Sequence, residues 1–343
     1  MSLDGERGPA LVQRYDAALF DLDGVVYLGP VAVPGAVQGL AALRERGVQV
    51  GFVTNNAARS PGVVAEHLSA LGIPASPADV VTSAQAAASL LVSRHGAGAP
   101  VLVVGGEGVL AALAERDLVA VRSAEDHPVA VIQGFGFELA WQELNEAAIA
   151  IQRGAHWVAT NDDPTRPTDR GLVPGNGAAV AAVQLAVTAT PEVAGKPYRP
   201  LLDDTVARLG VSRPVFVGDR LDTDITGAAN AGLDSLLVLT GSHRAEELLA
   251  AAGSARPTHL GQDLRALLAP ARIAVVEGHR CTVGAVTAIL EGDQLRFDGL
   301  APDPLDALWA AAQLAWRAAD AGTPLDLRAT LAALVALGLS AVR

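Results

Sequence analysis

The stretch from Ala18 to Val26 constrains the fold of this chain more than any other. An apolar run ends in two aspartates, Asp21 and Asp23, and a glycine follows them. The interior of a parallel sheet does not accommodate two carboxylates, so we expect them at the carboxyl end of a buried strand, where open α/β sheets bind ligands. Residues two apart on an extended chain point the same way. The pair therefore indicates a metal ion, a carboxylate nucleophile or an acid/base pair, with a turn or capping role as the alternative.

Two further apolar strands end on polar residues. Residues 48–53 lead into Thr54-Asn55-Asn56, and residues 214–218 lead into the acidic stretch 219–225. Small polar side chains at a strand end can cradle a phosphate group or simply form an Asx turn before a helix. Because a doubly wound sheet brings the carboxyl ends of its strands to one edge, all three groups are expected to meet. The sequence thus predicts an α/β fold built on a doubly wound parallel sheet.

Lys196 is the only lysine in the chain, because all other residues in the combined lysine and arginine count of 25 are arginines. A position that keeps lysine against this bias is expected to need a compact point charge rather than a planar guanidinium. Chance survival of one lysine is the alternative. Lys196 lies in Gly195-Lys196-Pro197, shortly before the third of these strands, so we expect it to approach the same edge of the sheet.

Composition narrows the classes of function and location. The formal net charge of −12 disfavours nucleic acid and anionic membranes as partners. The single cysteine, Cys281, excludes an internal disulfide and indicates a reducing compartment. Residues 1–13 lack the apolar core of a signal peptide, and the apolar run 329–342 is shorter than the ~18 residues of a spanning helix. The sequence therefore predicts a cytoplasmic protein.

The order of predicted strands and helices divides the chain into several parts. A large insert with strands and helices of its own interrupts the doubly wound core, and its size is typical of a domain. The predicted parts are a flexible lead (1–14), a discontinuous core (15–83 and 190–268), an α/β cap domain (84–189) and a small α+β appendage (270–343).

The appendage has a strand pattern followed by a helix pattern, in which Gly292-Asp293 fits a hairpin turn. Cys281 within it is expected to be a buried small hydrophobe. Its expected elements are strands at 272–277, 282–290 and 294–297, and helices at 305–319 and 325–337.

Four motifs together resemble those of the haloacid dehalogenase superfamily, and they occur in the family order. The resemblance covers about residues 15–265 and is strongest to the phosphatase branch with a large α/β cap, which includes 4-nitrophenyl, phosphoglycolate, pyridoxal and glycerol 3-phosphate phosphatases. Residues 159–162 and 174–177 of the insert also resemble this branch. The four motifs are Asp21-Leu22-Asp23-Gly24-Val25, Thr54-Asn55-Asn56, Gly195-Lys196-Pro197 and the stretch from Gly218 to Ile225.

The resemblance implies a phosphatase that uses Mg²⁺ and an aspartyl-phosphate intermediate. Asp21 would be the nucleophile, and Asp23 would act as general acid and then as general base. Mg²⁺ would be held by the Asp21 carboxylate, the Asp23 backbone carbonyl and the Asp219 carboxylate. Asp224 would support this site. The other implied contacts to substrate are Thr54, Asn55, Asn56 and Lys196 around the phosphoryl group. The candidate contacts from the cap are Asn161, Asp162 and Arg166, with loop turn chemistry as the alternative.

The large cap favours a small phosphate monoester over a phosphoprotein. The alanine- and arginine-rich, lysine-poor chain with its appendage most resembles actinobacterial glycerol 3-phosphate phosphatases, so glycerol 3-phosphate is the expected substrate. Phosphoglycolate, pyridoxal 5′-phosphate and nucleoside monophosphates are the alternatives. Residues 131–137 lack the aspartate that the branch usually carries in this cap segment, so its substrate contacts do not transfer directly.

The appendage lies outside the resemblance. Its strands and amphipathic helices resemble half of a GNAT acetyltransferase domain, but residues 283–285 are too short for a glycine-rich pyrophosphate loop. A separate binding or regulatory role, for example in a homodimer, is the alternative for this segment. A non-catalytic phosphate sensor is disfavoured for the whole chain, because a sensor needs no nucleophile.

Overall fold

A computed structural model of the chain describes residues 8–168 and 170–339. The strands are β1 (Ala17–Asp21), β2 (Tyr27–Leu28), β3 (Val31–Ala32), β4 (Gln49–Thr54), β5 (Val80–Thr82), β6 (Pro100–Val104), β7 (Val119–Val121), β8 (Ala130–Gln133), β9 (His156–Ala159), β10 (Thr165–Thr168), β11 (Gly171–Pro174), β12 (Glu192–Val193), β13 (Pro214–Gly218), β14 (Asp234–Val238), β15 (His259–Gly261), β16 (Ala274–Glu277), β17 (Arg280–Val283), β18 (Val286–Glu291) and β19 (Gln294–Gly299). The helices are α1 (Ala36–Glu45), α2 (Pro61–Ala70), α3 (Ser83–His95), α4 (Glu107–Glu115), α5 (Trp141–Gln152), α6 (Asn176–Gln184), α7 (Arg199–Leu209), α8 (Thr226–Ala231), α9 (Ala245–Leu249), α10 (Pro304–Asp320) and α11 (Leu327–Ala336).

The core is a six-stranded parallel sheet in the spatial order β15-β14-β13-β1-β4-β5. The residues of β1 and β13 are buried throughout, as continuous apolar strands in a sheet covered on both faces should be. The strand order reverses between β1 and β13, and such a reversal opens a crevice at the carboxyl ends of the strands. The predicted doubly wound α/β core is confirmed.

The cap is a second parallel sheet, in the order β12-β9-β8-β6-β7, and the β10–β11 hairpin extends from it. One buried apolar cluster joins cap and core, with Leu19 and Phe216 from the core and Val103 and Ile132 from the cap. The shared cluster fixes the cap over the carboxyl ends of the core strands. The two sheets lie in the expected segments of the chain, and the domain boundaries themselves stay a prediction.

The appendage is a four-stranded antiparallel sheet, β16-β17-β18-β19, with α10 and α11 packed against it. The prediction of a single strand over residues 282–290 is wrong. β17 and β18 are separate strands, because Gly284, with a φ of +57°, turns the chain between them. The predicted Gly292-Asp293 turn is confirmed, since Glu291 pairs with Gln294 across it.

The appendage also shares its interior with the core. Leu248 and Leu249 of α9 belong to the same buried cluster as Trp309 and Trp316 of α10. The indole Nε1 of Trp316 donates a hydrogen bond of 2.8 Å to the Leu248 carbonyl. Cys281 is fully buried, as expected. No helix in the described part of the chain combines the length and apolar character needed to cross a membrane.

The predicted flexible lead is only partly within the described residues, since residues 1–7 lie outside them. For residues 10–14 the prediction is wrong. Leu11–Arg14 form a 3₁₀ turn in which Leu11 and Val12 are buried in the core cluster. The Leu11 N–H also donates to the Ala269 carbonyl at 2.7 Å. Burial of these two apolar side chains fixes the turn against the segment that leads into the appendage.

Candidate active site

Three carboxylates meet at the crevice between β1 and β13. Oxygen atoms of Asp21, Asp219 and Asp224 lie within 4.8 Å of one another. Asp21 is the last residue of β1, whereas Asp219 follows β13 and Asp224 lies in the π-helical turn Leu221–Ile225. Buried carboxylates this close repel one another unless positive charge offsets them. The site therefore requires cations.

Lys196 supplies one positive charge. Its Nζ donates to Asp21 Oδ1 at 2.6 Å and to Asp224 Oδ1 at 2.7 Å, and its side chain is 2% exposed. Burial acts to lower the pKa of Lys196, but the charges of the two aspartates outweigh this effect and raise the pKa. The ammonium is therefore charged throughout the physiological range.

Asn55 holds the backbone at Lys196. Its Oδ1 accepts from the Lys196 N–H at 2.8 Å, and its Nδ2 donates to the Lys196 carbonyl at 3.0 Å. The Asn55 carbonyl accepts from Asn161 Nδ2 at 2.8 Å. The side chains of Asn55 and Asn161 therefore tie together the core, the lysine loop and the cap. Neither amide group is free, and the predicted contacts of Asn55 and Asn161 with substrate stay predictions.

Thr54 and Asn56 shape the loop after β4. Thr54 Oγ1 accepts from the Asn56 N–H at 3.0 Å, and Asn56 Oδ1 accepts from the Ala58 N–H at 2.9 Å. These turns fix the loop beside the cavity, and both residues line it. Of the two alternatives offered by the sequence, the turn is present, and the phosphate cradle stays a prediction.

Asp219 is held by a loop that was not among the predicted site residues. The Ser242 N–H donates to Asp219 Oδ2 at 2.6 Å, and Gly241 lies so close that a Cβ there would overlap the same carboxylate. Gly24, with a φ of +90°, packs on the other side, where a Cβ would lie 2.6 Å from Oδ2. A signal is present in the sequence, because the small residues Thr240, Gly241 and Ser242 follow shortly after the apolar strand β14.

The donor set fits a hard divalent cation. Asp219 Oδ1 is buried and has no hydrogen-bond partner among the described residues. Burial, followed by the charge of Asp224, raises the pKa of Asp219 to about 6. A buried carboxylate oxygen without a donor is costly unless a cation approaches it, and carboxylate oxygens are the ligands that such cations prefer. Both oxygens of Asp224 already accept hydrogen bonds, from Lys196 and from the N–H groups of Asp219 and Arg220.

Asp23 has a different environment. Its side chain faces the cavity and is accessible to solvent, yet protein surrounds it. This desolvation raises the pKa of Asp23 above its ordinary value, and the charges of Lys196 and Arg59 act in the opposite direction. A carboxyl group with a raised pKa that opens on a cavity is suited to donating a proton.

Core and cap together line a cavity of about 240 Å³ that is open to solvent. It is smaller than the roughly 300–1,000 Å³ of pockets that bind drug-sized ligands. Asp21, Asp23 and Lys196 form its floor, while Phe135, Phe137 and Arg166 come from the cap. The two phenylalanines were not predicted to belong to the site.

Comparison with known proteins supports this architecture. A family model described as haloacid dehalogenase-like hydrolase matches residues 18–119, and a second, described as HAD-hydrolase-like, matches residues 193–267. A D-glycerol 3-phosphate phosphatase from Mycobacterium tuberculosis is 47% identical over 318 residues, which cover 91% of this chain and 89% of the relative. The chain belongs to the haloacid dehalogenase-like hydrolases. As this hydrolase has phosphatases among its relatives, it is an enzyme of the phosphatase type.

Other relatives of this hydrolase match a smaller share of the chain. An acid sugar phosphatase from Staphylococcus aureus is 35% identical over 69% of this chain and 91% of its own. The structure of a thermostable NPPase double mutant from Geobacillus stearothermophilus is 33% identical, with a TM-score of 0.67, over 73% of this chain and 97% of its own. In contrast, a glycerol phosphate phosphatase from M. tuberculosis in complex with magnesium has a TM-score of 0.85 and 42% identity over 97% of this chain and 100% of its own.

Proposed function

We propose that this hydrolase is a Mg²⁺-dependent phosphatase that acts on glycerol 3-phosphate. One observation supports the reaction type: the Asp21 and Asp219 carboxylates and the Lys196 ammonium meet beneath a cap, in a cavity suited to a small molecule. The substrate is supported by the mycobacterial relative named as a D-glycerol 3-phosphate phosphatase. The choice of cation is supported by the similar glycerol phosphate phosphatase structure, which is a complex with magnesium.

In the first step, a carboxylate oxygen of Asp21 attacks phosphorus while the bond to the ester oxygen breaks. Asp23 donates its proton to the departing alkoxide, which leaves as glycerol. Lys196 holds Asp21 in place and offsets the negative charge that the phosphoryl group brings. The product of this step is an aspartyl-phosphate at Asp21.

In the second step, water replaces Asp21 on phosphorus. Asp23, now a carboxylate, takes a proton from this water as it attacks. Inorganic phosphate leaves, Asp21 is again a carboxylate, and Asp23 is again protonated. The raised pKa of Asp23 suits both halves of this cycle.

The cation would be held by the carboxylates of Asp21 and Asp219 and by the backbone carbonyl of Asp23, with Asp224 as a supporting residue through Lys196. When bound, Mg²⁺ supplies positive charge that neutralises and aligns the phosphoryl oxygens. Thr54, the Asn55 backbone and Asn56 are the proposed contacts to these oxygens, and Asn161 is the proposed contact from the cap.

The organisation and setting of the enzyme are part of the proposal. We place the catalytic core at 15–83 and 190–268, the cap at 84–189 and the appendage at 270–343. The single, buried Cys281 supports a cytoplasmic location, and the net charge of −12 argues against nucleic-acid partners. A homodimer, and a separate binding role of the appendage, stay predictions.

The test is a phosphate-release screen with Mg²⁺ or with a chelator. The substrates are glycerol 3-phosphate, phosphoglycolate, pyridoxal 5′-phosphate and a nucleoside monophosphate. We expect Mg²⁺-dependent release that is fastest with glycerol 3-phosphate, and none from an Asp21→Asn variant. Phosphate release by Asp21→Asn would overturn the proposed mechanism, and release without Mg²⁺ would overturn the proposed Mg²⁺ dependence. Faster release from another ester would make that ester the substrate instead of glycerol 3-phosphate.

A further inference from the structure

Arg166 packs against two aromatic rings at the cap side of the cavity. Its guanidinium carbon lies 4.5 Å from the ring centre of Phe135 and 5.5 Å from that of Phe137. The two rings are edge to face, at 86° with 5.3 Å between their centres. Arg166 comes from β10 and the phenylalanines from the loop after β8, so two parts of the cap fix one guanidinium.

The guanidinium of Arg166 has no partner of opposite charge among the described residues. Its Nε is buried and donates no hydrogen bond to any described group. The other cavity arginine, Arg220, contrasts with it, because both its Nε and Nη2 donate to Asp222, at 3.0 and 2.7 Å. The Nη groups of Arg166 are not buried and donate no hydrogen bond to a described residue, so they are the donors that an acceptor in the cavity can reach.

Arg166 faces the same cavity as Asp21 and Lys196. Since the floor of the cavity already carries the groups proposed for phosphate, a donor on the cap meets the other end of a short phosphate ester. A guanidinium donates to hydroxyl or carboxylate oxygens, and a planar group fixed by stacking loses little freedom when it does so.

We propose that Arg166, fixed by Phe135 and Phe137, is a specificity-determining residue that binds an oxygen acceptor at the end of the substrate away from the phosphate. This inference rests on the proposed phosphatase function and deepens it. The acceptor is a hydroxyl in glycerol 3-phosphate and a carboxylate in phosphoglycolate. An ester without such an oxygen leaves the guanidinium without an acceptor and binds less well, because it forgoes the hydrogen bond around which the site is built.

The test uses Arg166→Gln, with Arg170→Gln as the matched control. Arg170 lies in the turn of the same hairpin and is exposed. The full-length protein with Mg²⁺ hydrolyses 4-nitrophenyl phosphate while glycerol 3-phosphate, phosphoglycolate or ethyl phosphate competes, and the inhibition constant of each competitor is measured. This readout reports binding whether or not the competitor itself is turned over.

We expect Arg166→Gln to raise the inhibition constant of glycerol 3-phosphate by roughly 10- to 100-fold, the worth of a hydrogen bond to a charged group. Ethyl phosphate should change less than about twofold, and Arg170→Gln should change nothing. The phosphoglycolate arm shows whether a carboxylate is bound in the same way. Equal changes for glycerol 3-phosphate and ethyl phosphate, or no change for either, would overturn the role of Arg166.

The same assay separates this inference from the proposed function. If the wild-type enzyme releases no phosphate from glycerol 3-phosphate but binds it through Arg166, the proposed substrate fails and the inference stands. Should Arg166→Gln not fold, as judged by its thermal melt, Phe137→Leu removes one ring and keeps the charge. Phe137→Leu should raise the inhibition constant of glycerol 3-phosphate by a smaller factor than Arg166→Gln. An unchanged constant would contradict the role of the rings in fixing Arg166.

Discussion

Lys196 Nζ lies 2.6 Å from Oδ1 of Asp21, although 175 positions separate the two residues in the chain. The same ammonium lies 2.7 Å from Asp224, so one buried cation neutralises the strand end and the π-helical turn together. No arginine could replace it conservatively, because a guanidinium is planar and wider than an ammonium.

Removing the Lys196 charge should affect both stability and activity. In the metal-free protein, Lys196→Met leaves two buried carboxylates unpaired, and breaking a buried ion pair costs about 3–5 kcal/mol. We expect a lower denaturation midpoint and phosphate release reduced by at least about 100-fold at saturating Mg²⁺. Arg199→Met, which removes an exposed ion pair on α7, is the control and should change neither. Wild-type activity in Lys196→Met would exclude the proposed role.

The raised pKa of Asp219 should make the affinity for Mg²⁺ depend on pH. This pKa is raised to about 6 in the metal-free site, so the carboxyl is protonated below pH 6 and the proton competes with the cation. The apparent dissociation constant should rise by at least about tenfold per unit of pH below 6, because burial also raises the pKa of Asp21, the other proposed carboxylate ligand. Calorimetric titrations at pH 5, 6, 7 and 8 measure it, and Asp219→Asn should bind weakly at every pH. An affinity that is constant from pH 5 to 7 would contradict this assignment.

The effect of replacing Asp23 on the reaction should depend on the leaving group of the substrate. A glycerol alkoxide needs a proton as it departs, whereas 4-nitrophenolate is a good leaving group without one. Asp23→Asn should therefore lower glycerol 3-phosphate turnover by about 10²–10⁴-fold. With 4-nitrophenyl phosphate it should release about one equivalent of nitrophenol rapidly and then stall, because the second step still needs a base. Rapid-mixing absorbance measures the burst, and Asp21→Asn, which lacks the nucleophile, should show none.

The strand-end residues and Lys196 could be placed from sequence because their chemistry conflicts with their surroundings. A purely structural role rarely explains carboxylates that follow apolar runs. The same holds for a single lysine in a chain whose other residues of the lysine and arginine count are all arginines. Gly241 and Ser242 show no such conflict with their surroundings, since glycine and serine are ordinary turn formers after a strand. Their contact with Asp219 depends on the pairing of β14 with β13, which only the three-dimensional structure shows.

The cap and the chain ends were harder to predict for a related reason. Phe135 and Phe137 resemble core residues, and only the packing of the β10–β11 hairpin makes them hold Arg166. Leu11 and Val12 are too few to form a periodic pattern, so their burial could not be read locally. Gly284 breaks a run of strand-forming residues by its positive φ, and the sequence alone allowed one longer strand.

The loop that holds Asp219 offers a test of its own. A Cβ at Gly241 would overlap the Asp219 carboxylate, so Gly241→Ala must move either the loop or the metal ligand. We expect Mg²⁺ affinity to fall by about tenfold or more, with a smaller change in thermal stability. Gly62→Ala is the control, because its Cβ would lie 3.9 Å from the Ser60 hydroxyl and meet nothing closer. Both are measured by Mg²⁺ titration and thermal melts, and equal affinities in the two variants would argue against this contact.

The interior shared by α9 and α10 has a consequence for how the enzyme holds together. Leu248, Leu249 and Trp316 belong to one buried cluster, and α9 follows directly on the loop that reaches Asp219. Removing the appendage would uncover apolar side chains beside the catalytic loop and favour aggregation. Melting should therefore be one cooperative transition. The appendage therefore extends the apolar interior of the catalytic domain. We expect that it cannot be removed or exchanged unless the core residues that contact it are changed as well.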